Sequence, residues 1–154
     1  MKVGVFAVLF SAMPFEEAMD YIKAAGCDAV EIGTGCYPGG AHCPLDALVA
    51  DASAAKAWMK RITDRGLEIS ALSCHGNPLH PDAAVAQEHA DIFRKTIDLA
   101  SMLGIETVIN FSGCPGDQPG AKYPNWVTCP WPPDFGAILD YQWHQVAIPY
   151  WTEM

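Results

Sequence analysis

The most reactive-looking side chain is His75, in Ser73-Cys74-His75-Gly76-Asn77-Pro78. Its imidazole follows a short apolar run, Gly76 leaves room for close approach, and Asn77-Pro78 turns the chain away. A histidine so placed can contact a substrate or move a proton; the bland alternative is an imidazole hydrogen-bonded at a strand end. Cys74 is not its nucleophilic partner, since neighbouring strand residues point to opposite faces. Glu31, in Ala29-Val30-Glu31-Ile32-Gly33, is a carboxylate among apolar residues. Once buried it must be paired or change its pKa, so it serves catalysis or substrate binding, or it is a hydrogen-bond hub that fixes loops.

Asn77, Asn110 and Ser112 add polar groups that could hold a substrate. Cys36, His42 and Cys43 do not have an established zinc spacing, and Tyr37-Pro38-Gly39-Gly40 beside them reads as a flexible loop, so no metal is expected there. His80 and His89 cap or face solvent on a helix and His144 lies mid-helix; none of the three is assigned to a site. Residues 113–135 form a long irregular stretch rich in Pro, with Tyr123, Trp126 and Trp131. Loops of that length are usually functional or disordered. The aromatics either offer faces to a polyhydroxylated ligand, as a lid, or seal the loop as a small core of its own.

These residues need a scaffold. Apolar runs at residues 3–10, 29–33, 69–74 and 107–112 have the length of buried strands. Between them Phe15, Met19 and Ile22 mark one helix face, Leu48, Trp58 and Ile62 a second, and Val85, Ile92, Phe93, Thr96, Ala100 and Leu103 a third. A last helix starts at Asp134 and runs toward Met154, and Pro149 either kinks it or opens another. Three helices close on a glycine followed by an acidic residue and a strand, at Gly26-Cys27-Asp28, Gly66-Leu67-Glu68 and Gly104-Ile105-Glu106. Those glycines are 40 and 38 residues apart, so one βα unit recurs.

Such units build parallel sheets, either open and doubly wound or closed as a (β/α)8 barrel. No glycine-rich phosphate loop follows the first strand, and Glu31, His75, Asn110 and Ser112 are expected at strand carboxyl ends, both of which favour the barrel. Alternation puts Ser73 with His75, and Asn110 with Ser112, on a polar lumen face, with Leu72, Cys74, Ile109 and Phe111 opposite. A whole barrel takes about 250 residues. The expected fold is therefore α/β, four βα units forming half a (β/α)8 TIM barrel, as a single domain over residues 1–154. Its first and last strands would be open edges, to be covered by another copy in a homo-oligomer or by a missing C-terminal half.

Composition sets the outer limits. The chain of 154 residues is 51% hydrophobic and 18% charged, enough apolar material for a core. Eighteen acidic residues against nine basic give a net charge of −9, the wrong sign for nucleic acid. No apolar run reaches membrane-spanning length, no cleavable leader is evident, and the six cysteines form no CxxC pair. Free thiols and a cytoplasmic location are expected.

At Ala29-Val30-Glu31-Ile32-Gly33, Ala71-Leu72-Ser73-Cys74-His75-Gly76-Asn77-Pro78 and Asn110-Phe111-Ser112-Gly113-Cys114-Pro115-Gly116 the chain resembles the sugar phosphate isomerase/epimerase family, the xylose-isomerase-like barrels. The resemblance covers that family's N-terminal half. It implies a divalent-metal enzyme (Mn, Mg or Zn) that moves a proton next to the carbonyl of a sugar or sugar phosphate. In such barrels the metal ligands, two Glu, an Asp and a His, come from later strands that this chain lacks, so no cofactor is expected on this chain alone. By the same resemblance His75 matches a third-strand histidine that points at substrate, and Glu31 a second-strand glutamate. The other function class left open is a metal-free half-barrel that binds a small ligand or only assembles, without catalysis.

Overall fold

A computed structural model describes residues Met1–Met154. Four parallel strands, β1 (Gly4–Phe6), β2 (Ala29–Cys36), β3 (Glu68–His75) and β4 (Val108–Asn110), lie side by side in sequence order. Helices α1 (Phe15–Ala24), α2 (Leu45–Ala50), α3 (Ala52–Thr63) and α4 (Ala83–Leu103) alternate with them, and α5 (Asp134–Asp140), a π-helical stretch (Tyr141–Ala147) and α6 (Ile148–Glu153) follow. Four consecutive parallel βα units are the layout of half a (β/α)8 barrel, as the sequence repeat implies. No helix is long and apolar enough to cross a membrane.

The chain divides into two compact units, Met1–Gly76 with Asp91–Asn110, and Asn77–Ala90 with Phe111–Met154. In the first, Val30 and Ile32 of β2 and Leu72 of β3 pack against Met19 and Ile22 of α1, Trp58 and Ile62 of α3 and Leu99 of α4. Each such aliphatic side chain withdrawn from water stabilises the fold by about 1.5–3 kcal/mol. The three repeated glycines, Gly26, Gly66 and Gly104, all take left-handed φ values of 87°, 70° and 69°, which release each helix into the next strand. The acidic residue that follows is used at once: Asp28 accepts a hydrogen bond from the Val3 amide at 3.0 Å, and Glu68 pairs with Lys2.

Ion pairs cover the outer helix faces. Arg61 and Arg65 of α3 and its C-terminal turn share Glu16 of α1, and Arg65 also takes Asp20. Lys60 pairs with Asp64, Arg94 with Asp91, and Lys95 with Asp46. Exposed pairs of this kind contribute roughly 0–1 kcal/mol each.

Element boundaries depart from expectation at three places. The first strand ends at Phe6 and residues Ala7–Phe10 form a 3₁₀ turn. β1 pairs with β2 in regular register only from Gly4–Ala29 to Phe6–Glu31, while the β2–β3 pairing skips Ser70 of β3 and Thr34 of β2. The last strand is only Val108–Asn110, because it pairs with Leu72 to Cys74 and β3 stops one residue later. The second helical segment breaks at Asp51, which is extended and whose Oδ1 accepts from the amides of Ser53 at 2.7 Å and Ala54 at 3.2 Å. The Ser53 hydroxyl, with those amides, holds the Asp51 carboxyl below the ordinary range. That capping separates α2 from α3.

In the second unit Gln142 is fully buried and ties the long loop together. Its Nε2 donates to the carbonyls of Gly116 (2.9 Å) and Asn125 (3.2 Å), and its Oε1 accepts from the Val127 amide at 3.0 Å. The π-helical stretch ends against Ile148, the first residue of α6, whose amide reaches back five residues to the Trp143 carbonyl just before Pro149, which lacks an amide hydrogen.

Candidate functional site

His75 closes β3 at its carboxyl end and is half-buried. Its backbone is held on β2 by the parallel pairing with Cys36 and by an antiparallel bridge to Tyr37, so the strand end is clamped by the turn that leaves β2. The imidazole meets the Phe6 ring edge-on, with centroids 5.9 Å apart. Just before it, Ser73 is buried, and its hydroxyl reaches the Ile32 carbonyl at 3.5 Å.

Glu31 does not lie at a strand end. With β2 running on to Cys36, Glu31 is the third residue of its strand, in register with Phe6 on one side and Ala71 on the other. Ala71 precedes His75 by four residues, so Glu31 sits roughly 13 Å below His75 along the sheet at about 3.3 Å per residue. Its half-buried carboxylate has no hydrogen-bond or ion-pair partner. The two groups read as one site from the sequence occupy two levels of the sheet.

Asn110 ends β4, but register sets it beside Cys74 and Val108 beside Leu72. Val108 packs on the helical core, so Asn110 shares the helix-side face rather than the face of Ser73 and His75. Alternation within one short strand could not reveal this, since faces are fixed by pairing with β3. Both Asn110 amide atoms are buried without a hydrogen-bond partner.

Cys36 lies next to Cys74, their sulfurs 3.6 Å apart, and not with His42 and Cys43 as a cluster. His42 is buried, its Nε2 against the Met13 carbonyl at 3.0 Å, while its own carbonyl accepts from Trp58 Nε1 at 3.0 Å. Burial pushes the Cys43 thiol up to about 12.

In the second unit Asn77 is wholly engaged. Its Oδ1 accepts from the Cys114 amide at 2.8 Å and the Leu79 amide at 3.2 Å, and its Nδ2 donates to the Cys114 carbonyl at 3.0 Å. His89 Nδ1 accepts from the Asn77 amide at 2.8 Å, and His80 Nδ1 from the Asp82 amide at 2.9 Å, so both histidines are local fasteners. Ser112 lies beyond β4, exposed, its carbonyl accepting from Trp151 Nε1 at 2.9 Å. Trp126 packs edge-on against Trp143 at 4.9 Å, a small aromatic core, whereas Trp131 is 75% exposed.

No group of three or more His, Cys, Asp or Glu side chains comes together closely enough to hold a metal ion. Reasoning from the sequence missed Phe6, the pairing of Cys36 with Cys74, and Gln142. The first two owe their importance to what lies across the sheet, and Gln142 to a loop whose course no local pattern encodes.

A model of the xylose isomerase-like TIM barrel family matches residues 19–138. The uncharacterized protein YfiH of Bacillus subtilis (strain 168) is 37% identical over 156 residues; the match takes in 100% of this chain and 50% of that protein, so the chain spans about half of its relative's length. Among solved structures, D-psicose 3-epimerase in the presence of D-fructose aligns with 17% identity and a TM-score of 0.48, over 71% of this chain and 37% of that one. L-ribulose 3-epimerase aligns with 24% identity and a TM-score of 0.48, over 96% and 45%.

Proposed function

Because the chain belongs to the family of xylose isomerase-like TIM barrels, we propose that it supplies the N-terminal half of a sugar isomerase or epimerase, which moves a proton at the carbon next to a sugar carbonyl. The observation that carries the reading is His75, a half-buried imidazole at the carboxyl end of a parallel strand, where barrels place their chemistry. In this role His75 touches the substrate and holds or moves a proton on it. Glu31, two side-chain layers deeper with its carboxylate unengaged, binds a hydroxyl at the floor of the same strands. Trp131 offers an exposed aromatic face of the kind that stacks on sugar rings.

A divalent metal (Mn, Mg or Zn) does not fit the residues present. No three His, Cys, Asp or Glu side chains come together to hold one, and the backbones of Glu31 and His75 are roughly 13 Å apart along the sheet. No step is routed through a metal on this chain; an ion that serves the complete barrel is held by residues outside it.

Solvent exchange tests the proposal. A polypeptide that completes the barrel, incubated with a panel of ketoses and their phosphates in heavy water, should place deuterium at the carbon beside the carbonyl. His75→Ala should depress that exchange by about a hundredfold or more with little change in the thermal midpoint. Normal turnover by a folded His75→Ala variant would remove His75 from the chemistry. Absence of exchange into every sugar, with or without added metal, would leave the half-barrel that binds or assembles without catalysis.

A further inference from the structure

We propose that Cys36 and Cys74 form a reversible disulfide between the carboxyl ends of β2 and β3, a redox modification site adjoining His75. It stands independently of the proposed activity, since it rests on the geometry of the two thiols.

The sulfurs are 3.6 Å apart, already neighbours. Gly35 is the strand partner of Cys74, so Cys36 stands one residue beyond it. With strands about 4.8 Å apart and a rise of about 3.3 Å per residue, the two Cα atoms are roughly 6 Å apart, inside the range that disulfides bridge. Regular alternation would point the residue after Gly35 away from Cys74. Cys36 instead takes a φ of 56°, the one left-handed residue in the chain that is not glycine, just past the register shift between Gly33 and Gly35. A disfavoured backbone conformation that brings one thiol onto another is a feature with a purpose to explain.

The surroundings suit a thiolate on the Cys74 side. The Cys36 thiol beside it, with smaller contributions from Thr96 and the Gly76 backbone, holds the Cys74 thiol below the ordinary range against the opposing effect of burial. Cys43, with burial alone acting on it, is pushed the other way. Within the same neighbourhood Thr34 and Thr96 share a hydroxyl contact of 2.8 Å, so the polar setting is extended and buried.

The chemistry is thiol–disulfide exchange with a low-molecular-weight disulfide such as glutathione disulfide. Cys36, half-buried where Cys74 is fully buried, is the sulfur the oxidant reaches. The Cys36 thiol passes its proton to the Cys74 thiolate as its sulfur attacks one sulfur of the oxidant, forming a mixed disulfide and expelling one thiolate, which takes that proton away. The Cys74 thiolate then attacks the Cys36 sulfur and expels the second. The chain loses two electrons and two protons, and the oxidant leaves as two thiols. Closure draws the sulfurs from 3.6 Å to about 2.05 Å and fastens β2 to β3 beside His75.

The test is a redox titration of the full chain in glutathione buffers of stepped ratio, quenched with acid, alkylated, digested and mapped by mass spectrometry. The expected result is a linked peptide pair joining Cys36 to Cys74, with two alkylatable thiols lost per chain, which reverts as the buffer is made reducing. Cys74→Ser should stop at a glutathione adduct on Cys36, and Cys36→Ser should give neither the link nor an adduct on Cys74. Should a variant not fold, the wild-type map decides alone. A folded wild-type chain that forms no Cys36–Cys74 link at the most oxidising ratio, or that links a different pair, overturns the proposal.

Discussion

The Phe6 ring stands edge-on to the His75 imidazole, 5.9 Å between centroids and 68° between planes, although one belongs to β1 and the other to β3. The contact crosses β2 over Gly33, where a Cβ would lie 3.5 Å from the Phe6 ring and 2.6 Å from the Gly39 carbonyl oxygen. Glycine is required there by the close approach of the Gly39 carbonyl, while the Phe6 ring lies at ordinary contact distance from the same spot.

Phe6→Leu keeps an apolar filler but removes the ring edge. Urea unfolding should show a loss of about 1 kcal/mol, and a double-mutant cycle with His75→Ala should return a coupling of similar size. A coupling of zero would reduce the pair to mere proximity. Gly33→Ala should cost more, about 1–3 kcal/mol, because the Gly39 backbone cannot swing aside as a side chain can.

Asn77→Ala should act on stability. It leaves the amide and carbonyl of Cys114 and the amide of Leu79 without their partner, a loss of about 2 kcal/mol or more, and the thermal midpoint should fall. If the variant instead unfolds like the parent while the completed enzyme binds its sugar more weakly, Asn77 is a substrate contact after all.

Alkaline pH should weaken the fold through Cys43. Its thiol titrates near 12 when folded against about 8.5 when unfolded. Below the unfolded value its contribution is complete. Between the two values the folded chain holds a proton that the unfolded chain has lost, so stability declines by up to about 1.4 kcal/mol per pH unit. Denaturation midpoints measured between pH 8 and 11, compared with Cys43→Ala, should show this slope vanish in the variant; a slope that persists assigns it to other groups.

Self-association is expected of this chain alone, since β1 and β4 are the outer strands of the sheet and each has an unpaired edge. Val3, beside β1, is 53% exposed. Both strands are only three residues long, which limits the unmet backbone groups. Light scattering should report a dimer or larger species, and a monodisperse 16.6 kDa particle with cooperative unfolding would show that short edges suffice.

What the sequence revealed was whatever a local pattern encodes. Gly26, Gly66 and Gly104 announced helix ends because the left-handed conformation selects glycine, and Phe15, Met19 and Ile22 announced a buried face because a helix repeats. Asp51 was an available signal: an N-capping residue between Leu48 and Trp58 argues for two helices rather than one. The levels of the sheet were hidden. Where Glu31 and Asn110 fall relative to His75 and Cys74 depends on the extension of β2 to Cys36 and on the β3–β4 register, both long-range outcomes. The loop was half legible: its aromatics were evident, but the sorting of Trp126 into a core and Trp131 into solvent was not.

The ion pairs on the helices have a consequence for counter-charge. Of nine basic residues, Lys2, Lys60, Arg61, Arg65, Arg94 and Lys95 are each committed to a carboxylate, which leaves Lys23, Lys56 and Lys122. Lys23 donates to the Gly66 carbonyl and Lys122 lies over the Tyr123 ring. Within the first unit, residues 7–14 and 37–44, which leave the carboxyl ends of β1 and β2, contain no Lys or Arg. A dianionic phosphoryl group arriving at the ends of β1 and β2 would meet no ammonium or guanidinium from these two segments. Any phosphoryl group bound there would have to draw its neutralising cation from elsewhere.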